Sequence, residues 1–284
     1  MFRLVGETMG RLYDDLLNIV AFEPDKEEEL KTERYCKNYQ RMGDYYNTFI
    51  PLGVLFVFFL YLFGGYIGCF LFVLFMIIAI FLYKRYLKKN KIRINNLVNE
   101  CSANKALTAY MVIARYHVRS TKKLGSFLAC IGSALIYQGR FAEAKSVLDL
   151  IEKYCDILEG RAYKIISYAA IALYEKDREA IESYINEFGE LLSQVNTPYM
   201  EESYNRMLNY PLILEVEENG DYTKALEFMV EKEKGPLLYN VSVHYRLYNV
   251  AKSAGMQEEA LKHRAFVLEN GGDTFYKKEL ELIG

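Results

Sequence analysis

The sequence is poor in the residues that build metal sites and disulfide frameworks. It has no tryptophan, three histidines and five cysteines in 284 residues, and no Cys-x-x-Cys pair. An odd number of cysteines without that spacing favours free thiols over a disulfide framework or a zinc site. The histidines are His117, His244 and His263, which are too scattered to predict a set of metal ligands. We therefore expect no metal site.

Motifs of catalysis and nucleotide binding are also absent. The sequence has no phosphate-cradling glycine loop, no HExxH segment and no GxSxG segment. Its 35 basic and 37 acidic residues give a net charge of −2, so nucleic-acid binding has no electrostatic support. The sequence therefore predicts no catalytic residue, no cofactor, no nucleic-acid partner and no enzymatic activity. An enzyme with an unrecognised type of site is the minor alternative.

Charge is missing from residues 49–83, a run of 35 residues that is broken by Gly64-Gly65. One membrane span requires about 20 apolar residues, whereas 35 helical residues would reach roughly 52 Å. The run is therefore too long for one crossing unless the helix tilts strongly. The sequence predicts a two-helix transmembrane hairpin over residues 45–83, with one long tilted helix as the alternative.

Basic residues flank this run on both sides, from Lys31 to Arg41 and from Lys84 to Arg93. Positively charged flanks stay in the cytoplasm. We therefore predict an integral protein of the bacterial inner (plasma) membrane with both termini cytoplasmic. Residues 45–93 are expected to contact membrane lipids, with the second basic cluster next to anionic headgroups. No ionisable group lies inside the run, which argues against transport chemistry within it.

Residues 1–44 are predicted to form cytoplasmic N-terminal helices. Residues 1–22 carry apolar side chains at helical spacing, and their polar face mixes acidic and basic groups. Because interfacial membrane helices usually have a basic polar face, we expect this helix to dock against protein. Pro24 ends the helix, and Asp25 is a suitable residue to open a second, charged helix.

Residues 84–284 are predicted to form an all-α domain of repeated helix pairs. The 3.6-residue periodicity is strong from about Ile94 onward. Short segments that end in alanine join the amphipathic stretches, and these alanines are 38, 36, 45 and 35 residues apart. The segments are Ser102–Ala106, Gly139–Ala144, Lys176–Ala180, Gly220–Ala225 and Gly255–Ala260. The first is a half-copy, and the third is a degenerate copy that lacks the glycine.

This pattern resembles the tetratricopeptide repeat (TPR), a helix-turn-helix unit of about 34 residues. The best copy contains Leu128, Ile131, Gly132, Leu135, Gly139, Phe141, Ala144 and Leu148. Gly132, Gly139 and Ala144 match the family in residue type, and the other positions carry apolar substitutes. The resemblance implies a solenoid of antiparallel helix pairs. More narrowly, the hairpin, residues 99–106 and residues 269–274 are similar to uncharacterised membrane-anchored repeat proteins of Gram-positive bacteria.

In the TPR family, the first helix of each pair lines a concave groove that binds peptides or helices. Matching the family's spacing onto this sequence gives a lining of small, apolar and aromatic residues. The predicted groove residues are Ser126, Ala129, Ser133, Ile136, Tyr137, Ile165, Ala169, Tyr210, Tyr245, Asn249 and Lys252. Two occupants fit this lining: an amphipathic helix of a partner protein, or the protein's own residues 1–22.

The function implied is that of a membrane-anchored cytoplasmic TPR-like adaptor or scaffold that holds a partner protein in its groove. The alternative is an accessory subunit of a membrane transport or secretion complex, which would contact its partners through the transmembrane hairpin.

Overall fold

A computed structural model describes residues 2–63, 65–117, 121–155, 157–195, 197–229 and 235–283. Within these ranges the chain forms α-helices and no strand, so the prediction of an all-α protein is confirmed. The chain divides into two compact units, one of residues 26–96 and the other of residues 1–25 and 97–284. The boundaries predicted at residues 44/45 and 83/84 concern membrane topology and stay a prediction.

The unit of residues 26–96 is a pair of long helices, α2 (Lys26–Phe63) and α3 (Gly65–Asn99, whose last three residues belong to the other unit). Arg93 Nη1 lies 2.7 Å from the Glu28 carboxylate, and the rings of Phe56 and Phe72 are 5.1 Å apart. Residues early in α2 therefore meet residues late in α3, as in an antiparallel hairpin. The predicted turn at Gly64 lies outside the described residues.

The predicted localisation in a bacterial inner membrane is wrong. Among the described residues, no helix is both long enough and apolar enough to cross a membrane. The uncharged run of residues 49–83 is divided between α2 and α3, and the rest of both helices is rich in charge. The predicted transmembrane hairpin and lipid contacts of residues 45–93 are therefore unsupported.

The larger unit contains α1 and the helices that follow α3. Helix α1 covers Phe2–Ile19, and the others are α4 (Ala103–His117), α5 (Thr121–Tyr137), α6 (Phe141–Tyr154), α7 (Leu158–Glu175), α8 (Arg178–Leu192), α9 (Pro198–Met207), α10 (Tyr210–Asn219), α11 (Tyr222–Phe228), α12 (Leu237–Ser253), α13 (Gln257–Asn270) and α14 (Phe275–Leu282). The most extensive neighbouring pairs are α5/α6, α7/α8 and α12/α13. Helix α5 also packs on α7, and α10 packs on α12, whereas α7 packs on α9 and α10 on α8 between these two sets.

The turns between paired helices share one backbone conformation. Gly139, Gly220 and Gly255 adopt φ values of +77°, +65° and +70° at the ends of α5, α10 and α12. This left-handed region is readily available to glycine and ends helices. Lys176 adopts φ 59° at the end of α7. The degenerate copy therefore makes the same turn without glycine.

Polar side chains begin the second helices at two of these turns. Asp177 accepts a hydrogen bond from Ala180 N, and Asp221 accepts one from Lys224 N, both at 3.0 Å. A carboxylate at this position satisfies a backbone donor that the helix leaves unpaired. The repeated Asp after the left-handed residue therefore fixes where α8 and α11 begin.

Glycines also allow first helices to approach closely. A Cβ at Gly125 of α5 would lie 2.8 Å from the Cα of Gly160 in α7 and 3.2 Å from Cys155 Sγ. A Cβ at Gly132 would meet the side chain of Leu148 at 3.0 Å. The α5–α7 crossing is therefore set by backbone contact, and the α5–α6 crossing by a glycine against a leucine.

The Gly125→Ala variant is expected to destabilise the protein by about 1–3 kcal/mol, because the added methyl group would overlap backbone atoms that cannot rotate away. The matched control is Gly10→Ala in α1, where no atom lies within 4 Å of the added Cβ. This control should be neutral or stabilising by up to about 1 kcal/mol, the helix propensity gained. Urea unfolding followed by circular dichroism measures both, and equal effects would refute the close α5–α7 contact.

Candidate partner-binding surface

The surface formed by α5, α7, α10 and α12, here called the first-helix surface, carries the predicted groove residues. Ala129 and Ile136 on α5 are buried. Ile165 and Ala169 on α7 and Tyr210 at the start of α10 are buried together in one hydrophobic cluster. Helix packing therefore occupies these five residues. Their predicted role in partner binding stays a prediction.

The polar members of the set reach solvent. Ser126, Ser133 and Asn249 are partly exposed, and Lys252 is exposed. The Ser126 hydroxyl donates a hydrogen bond to Lys123 O at 3.0 Å. These side chains are the part of the predicted groove that a partner can reach without displacing the packed interior.

The two remaining predicted residues, Tyr137 and Tyr245, meet around Tyr276. Their ring centroids lie 6.3 Å and 4.9 Å from that of Tyr276, which is fully buried. The Tyr174 ring lies 6.0 Å from Tyr276 and 5.0 Å from Phe275. These five residues form what we call the aromatic cluster. It joins α5, α7 and α12 to the start of α14.

The segment before α14 is attached to the beginning of α4. The Asp273 carboxylate accepts hydrogen bonds from the backbone N–H groups of Ala103 at 2.6 Å and Asn104 at 2.7 Å. Asp273 thus satisfies two N–H groups that the first turn of a helix leaves unpaired. Gly272 has φ +56°, and a Cβ there would lie 2.1 Å from Cys101 O. Glycine is therefore required for this close approach.

One buried ion pair lies beside the cluster. Arg246 Nη1 donates to Glu217 Oε1 at 2.7 Å, and the two side chains are 10% and 6% exposed. The Arg246 guanidinium also lies 5.4 Å from the centre of the Tyr174 ring. Burial lowers the pKa of Arg246, but the Glu217 carboxylate and the phenols of Tyr174 and Tyr276 outweigh it and raise that pKa above its usual value.

The phenols of this region stay neutral. Burial raises the pKa of Tyr276 well above its ordinary value, and the phenol of Tyr174 adds to the effect. Burial likewise raises the pKa of Tyr137, and it raises that of Tyr210 to about 12. The buried rings of this region are therefore uncharged, and their contacts are apolar and hydrogen-bonding.

Helix α1 lies against α4 and α6. The Asp15 carboxylate accepts from Lys153 Nζ at 2.5 Å and from the Tyr154 hydroxyl at 2.7 Å. These two hydrogen bonds lower the pKa of Asp15. The predicted occupancy of the groove by residues 1–22 is untested.

The sequence did not predict a contact between two histidines. His244 Nδ1 and His263 Nδ1 are 2.9 Å apart, and the Tyr222 hydroxyl lies 2.8 Å from His263 Nε2. Their meeting depends on how α12 and α13 cross, which no local motif reveals. Across the described ranges, no group of three or more His, Cys, Asp or Glu side chains is placed to hold a metal ion.

The thiols are unsuited to nucleophilic chemistry. Cys36, Cys101, Cys130 and Cys155 form no disulfide bond. Burial raises the pKa of Cys36 and of Cys101 to about 12, with smaller contributions from the carboxylates of Glu33 and Asp273. At neutral pH these two thiols are therefore protonated, whereas a reactive cysteine needs its thiolate.

In comparisons with known proteins, no protein-family model, no curated protein and no solved structure matches this chain. Within the residues that the structure describes, the class that it defines is an all-α protein.

Proposed function

We propose that this protein is a TPR-like adaptor or scaffold that binds a partner protein, or an amphipathic helix of one, on its first-helix surface. The observation that carries the proposal is the repeated left-handed turn at Gly139, Lys176, Gly220 and Gly255. Each turn separates two helices, and among the first helices α5 packs on α7 and α10 packs on α12. Four such turns at similar spacing are typical of a repeat array.

The physics of repeat arrays supports a binding role. A single helix pair cannot bury its apolar face, so neighbouring pairs must stack, and stacking creates an extended surface. Here that surface combines buried apolar residues with partly exposed Ser133 and Asn249. A partner helix that lays its apolar stripe along such a surface would use the helix-in-groove mode.

The test is site-specific photocrosslinking in the full-length chain. A photoreactive amino acid is placed at Ser133 or Asn249 on the first-helix surface, and at Glu182 on α8 as the matched exposed control. The adaptor proposal expects one partner to be captured from Ser133 and Asn249 and not from Glu182. Equal capture from all three sites, or capture from Glu182 alone, would contradict it.

A second candidate is an accessory subunit that contacts its partner through the α2–α3 hairpin. It is favoured by large apolar side chains that are exposed there, such as Phe58 at 62%, Ile67 at 78% and Phe81 at 62%. Large exposed apolar patches mark interaction sites. The same photoreactive group at Ile77, which is 57% exposed, tests this candidate. Capture of the partner from Ile77, with none from Ser133 or Asn249, would favour it over the adaptor.

A further inference from the structure

Helix α14 packs on α13 and α12. Helix α14 has eight residues and follows the last helix pair, α12/α13. Its first two residues are Phe275 and Tyr276, and both are buried. An eight-residue helix is marginal on its own, so its position depends on what these two side chains contact.

Phe275 and Tyr276 contact several repeats at once. Tyr276 contacts Tyr137 of α5, Tyr174 of α7 and Tyr245 of α12, which belong to three different helix pairs. The hydroxyl groups of Tyr174 and Tyr276 are also hydrogen-bonded. In a repeat array each pair normally contacts its neighbours alone. Contact with the first helices of several pairs is what a bound ligand makes.

The contacts on either side of the aromatic pair are polar. Upstream, Asp273 holds the N–H groups of Ala103 and Asn104. Downstream, Glu279 accepts a hydrogen bond from the Tyr245 hydroxyl. Beyond these contacts Leu282 is 87% exposed. The segment is therefore held by the Asp273 carboxylate, by the two aromatic rings at positions +2 and +3, and further on by Glu279 and by Leu280, which is 1% exposed.

We propose that residues 271–283 are an internal ligand of the first-helix surface. The external partner of that surface then carries the same chemistry, an acidic residue followed two and three residues later by an adjacent aromatic pair. This inference rests on the proposed adaptor function and names the partner's chemistry. A partner of this kind competes with Asp273, Phe275 and Tyr276 for the N-terminus of α4 and for the aromatic cluster.

The test removes the two aromatic rings from the site in the full-length chain and then adds a peptide that carries them. The Phe275→Ala/Tyr276→Ala double variant removes both rings, and the added probe is a labelled peptide with the sequence of residues 271–284. Fluorescence anisotropy should show at least about tenfold tighter binding to the double variant than to the parent chain. The control peptide carries alanine at the positions of Phe275 and Tyr276 and should not bind. Equal binding of the peptide to both proteins, or to neither, overturns the proposal.

A second variant covers the case in which the double variant does not fold, as judged by circular dichroism. Asp273→Ala removes the carboxylate contact and keeps the aromatic rings. Hydrogen exchange of residues 274–283 should then speed up at least about tenfold relative to α13, and unchanged exchange overturns the proposal. The outcome is separable from that of the adaptor proposal. If the peptide binds but no partner is captured at Ser133 or Asn249, the adaptor proposal is rejected and the internal ligand is kept. If a partner is captured but the peptide does not bind, the internal ligand alone is rejected.

Discussion

The Glu217→Ala variant is expected to lose about 3–5 kcal/mol of unfolding free energy, one of the largest losses for a single substitution in this chain. Glu217 and Arg246 are 7% and 9% exposed as whole residues. Removing the carboxylate leaves the guanidinium buried without its counter-charge, with the Tyr174 ring as a weak substitute. The cost is that of an uncompensated buried charge, and it exceeds what the ion pair itself contributes.

The neighbouring residue provides a matched control. Glu218 pairs with Arg178 at 2.6 Å, but these side chains are 51% and 43% exposed. Glu218→Ala should therefore change the unfolding free energy by less than about 1 kcal/mol. The double variant Glu217→Leu/Arg246→Met should recover most of the loss, because an apolar pair of similar volume needs no counter-charge. Urea unfolding measures all three, and similar losses for Glu217→Ala and Glu218→Ala would contradict the burial argument.

The protein is expected to unfold in alkaline solution because its buried tyrosines resist ionisation. Burial raises the pKa of Tyr210 to about 12, and it raises those of Tyr137 and Tyr276 in the same direction. In the unfolded chain a tyrosine ionises near its ordinary pKa of about 10. The unfolded state therefore loses protons first. Stability is fully present below about pH 10 and falls as the pH rises through the folded-state pKa.

Tyr210→Phe isolates one contribution to this pH dependence. Between pH 8 and pH 11 the parent should lose about 1.4 kcal/mol more unfolding free energy than the variant, because phenylalanine has no proton to release. Tyr199→Phe is the control, since Tyr199 is 49% exposed. Urea unfolding at pH 8 and pH 11 measures these differences, and a pH-independent difference for Tyr210→Phe would reject the argument.

The helix pairs could be predicted from the sequence because their signals are local. Gly139, Gly220 and Gly255 lie at the predicted turns and adopt the left-handed conformation. Lys176 shows that the spacing of apolar residues carries the signal even where the glycine is missing. Turn chemistry and helical periodicity depend on residues a few positions apart, so one sequence is enough to reveal them.

The contacts of the first-helix surface could not be predicted in the same way. The spacing placed Ile165 and Ala169 on the first helices correctly but could not show that packing buries them. Tyr276 is separated by more than a hundred residues from Tyr137 and Tyr174, so no local pattern connects them. The membrane prediction was wrong. It placed one span in each helix of a hairpin, but among the described residues no helix is both long enough and apolar enough to cross a membrane.

The hydrogen bonds of Asp273 also affect how the array unfolds. Open repeat arrays lose their terminal repeats independently, because each repeat contacts its neighbours alone. Here a residue that follows α13 is bonded to the first turn of α4, across 170 positions of sequence. Neither end of residues 103–273 can then fray without breaking these bonds. In an open array, local opening at one end stays at that end. Here the opening of one end is coupled to the opposite end, so this unit should unfold as one cooperative block.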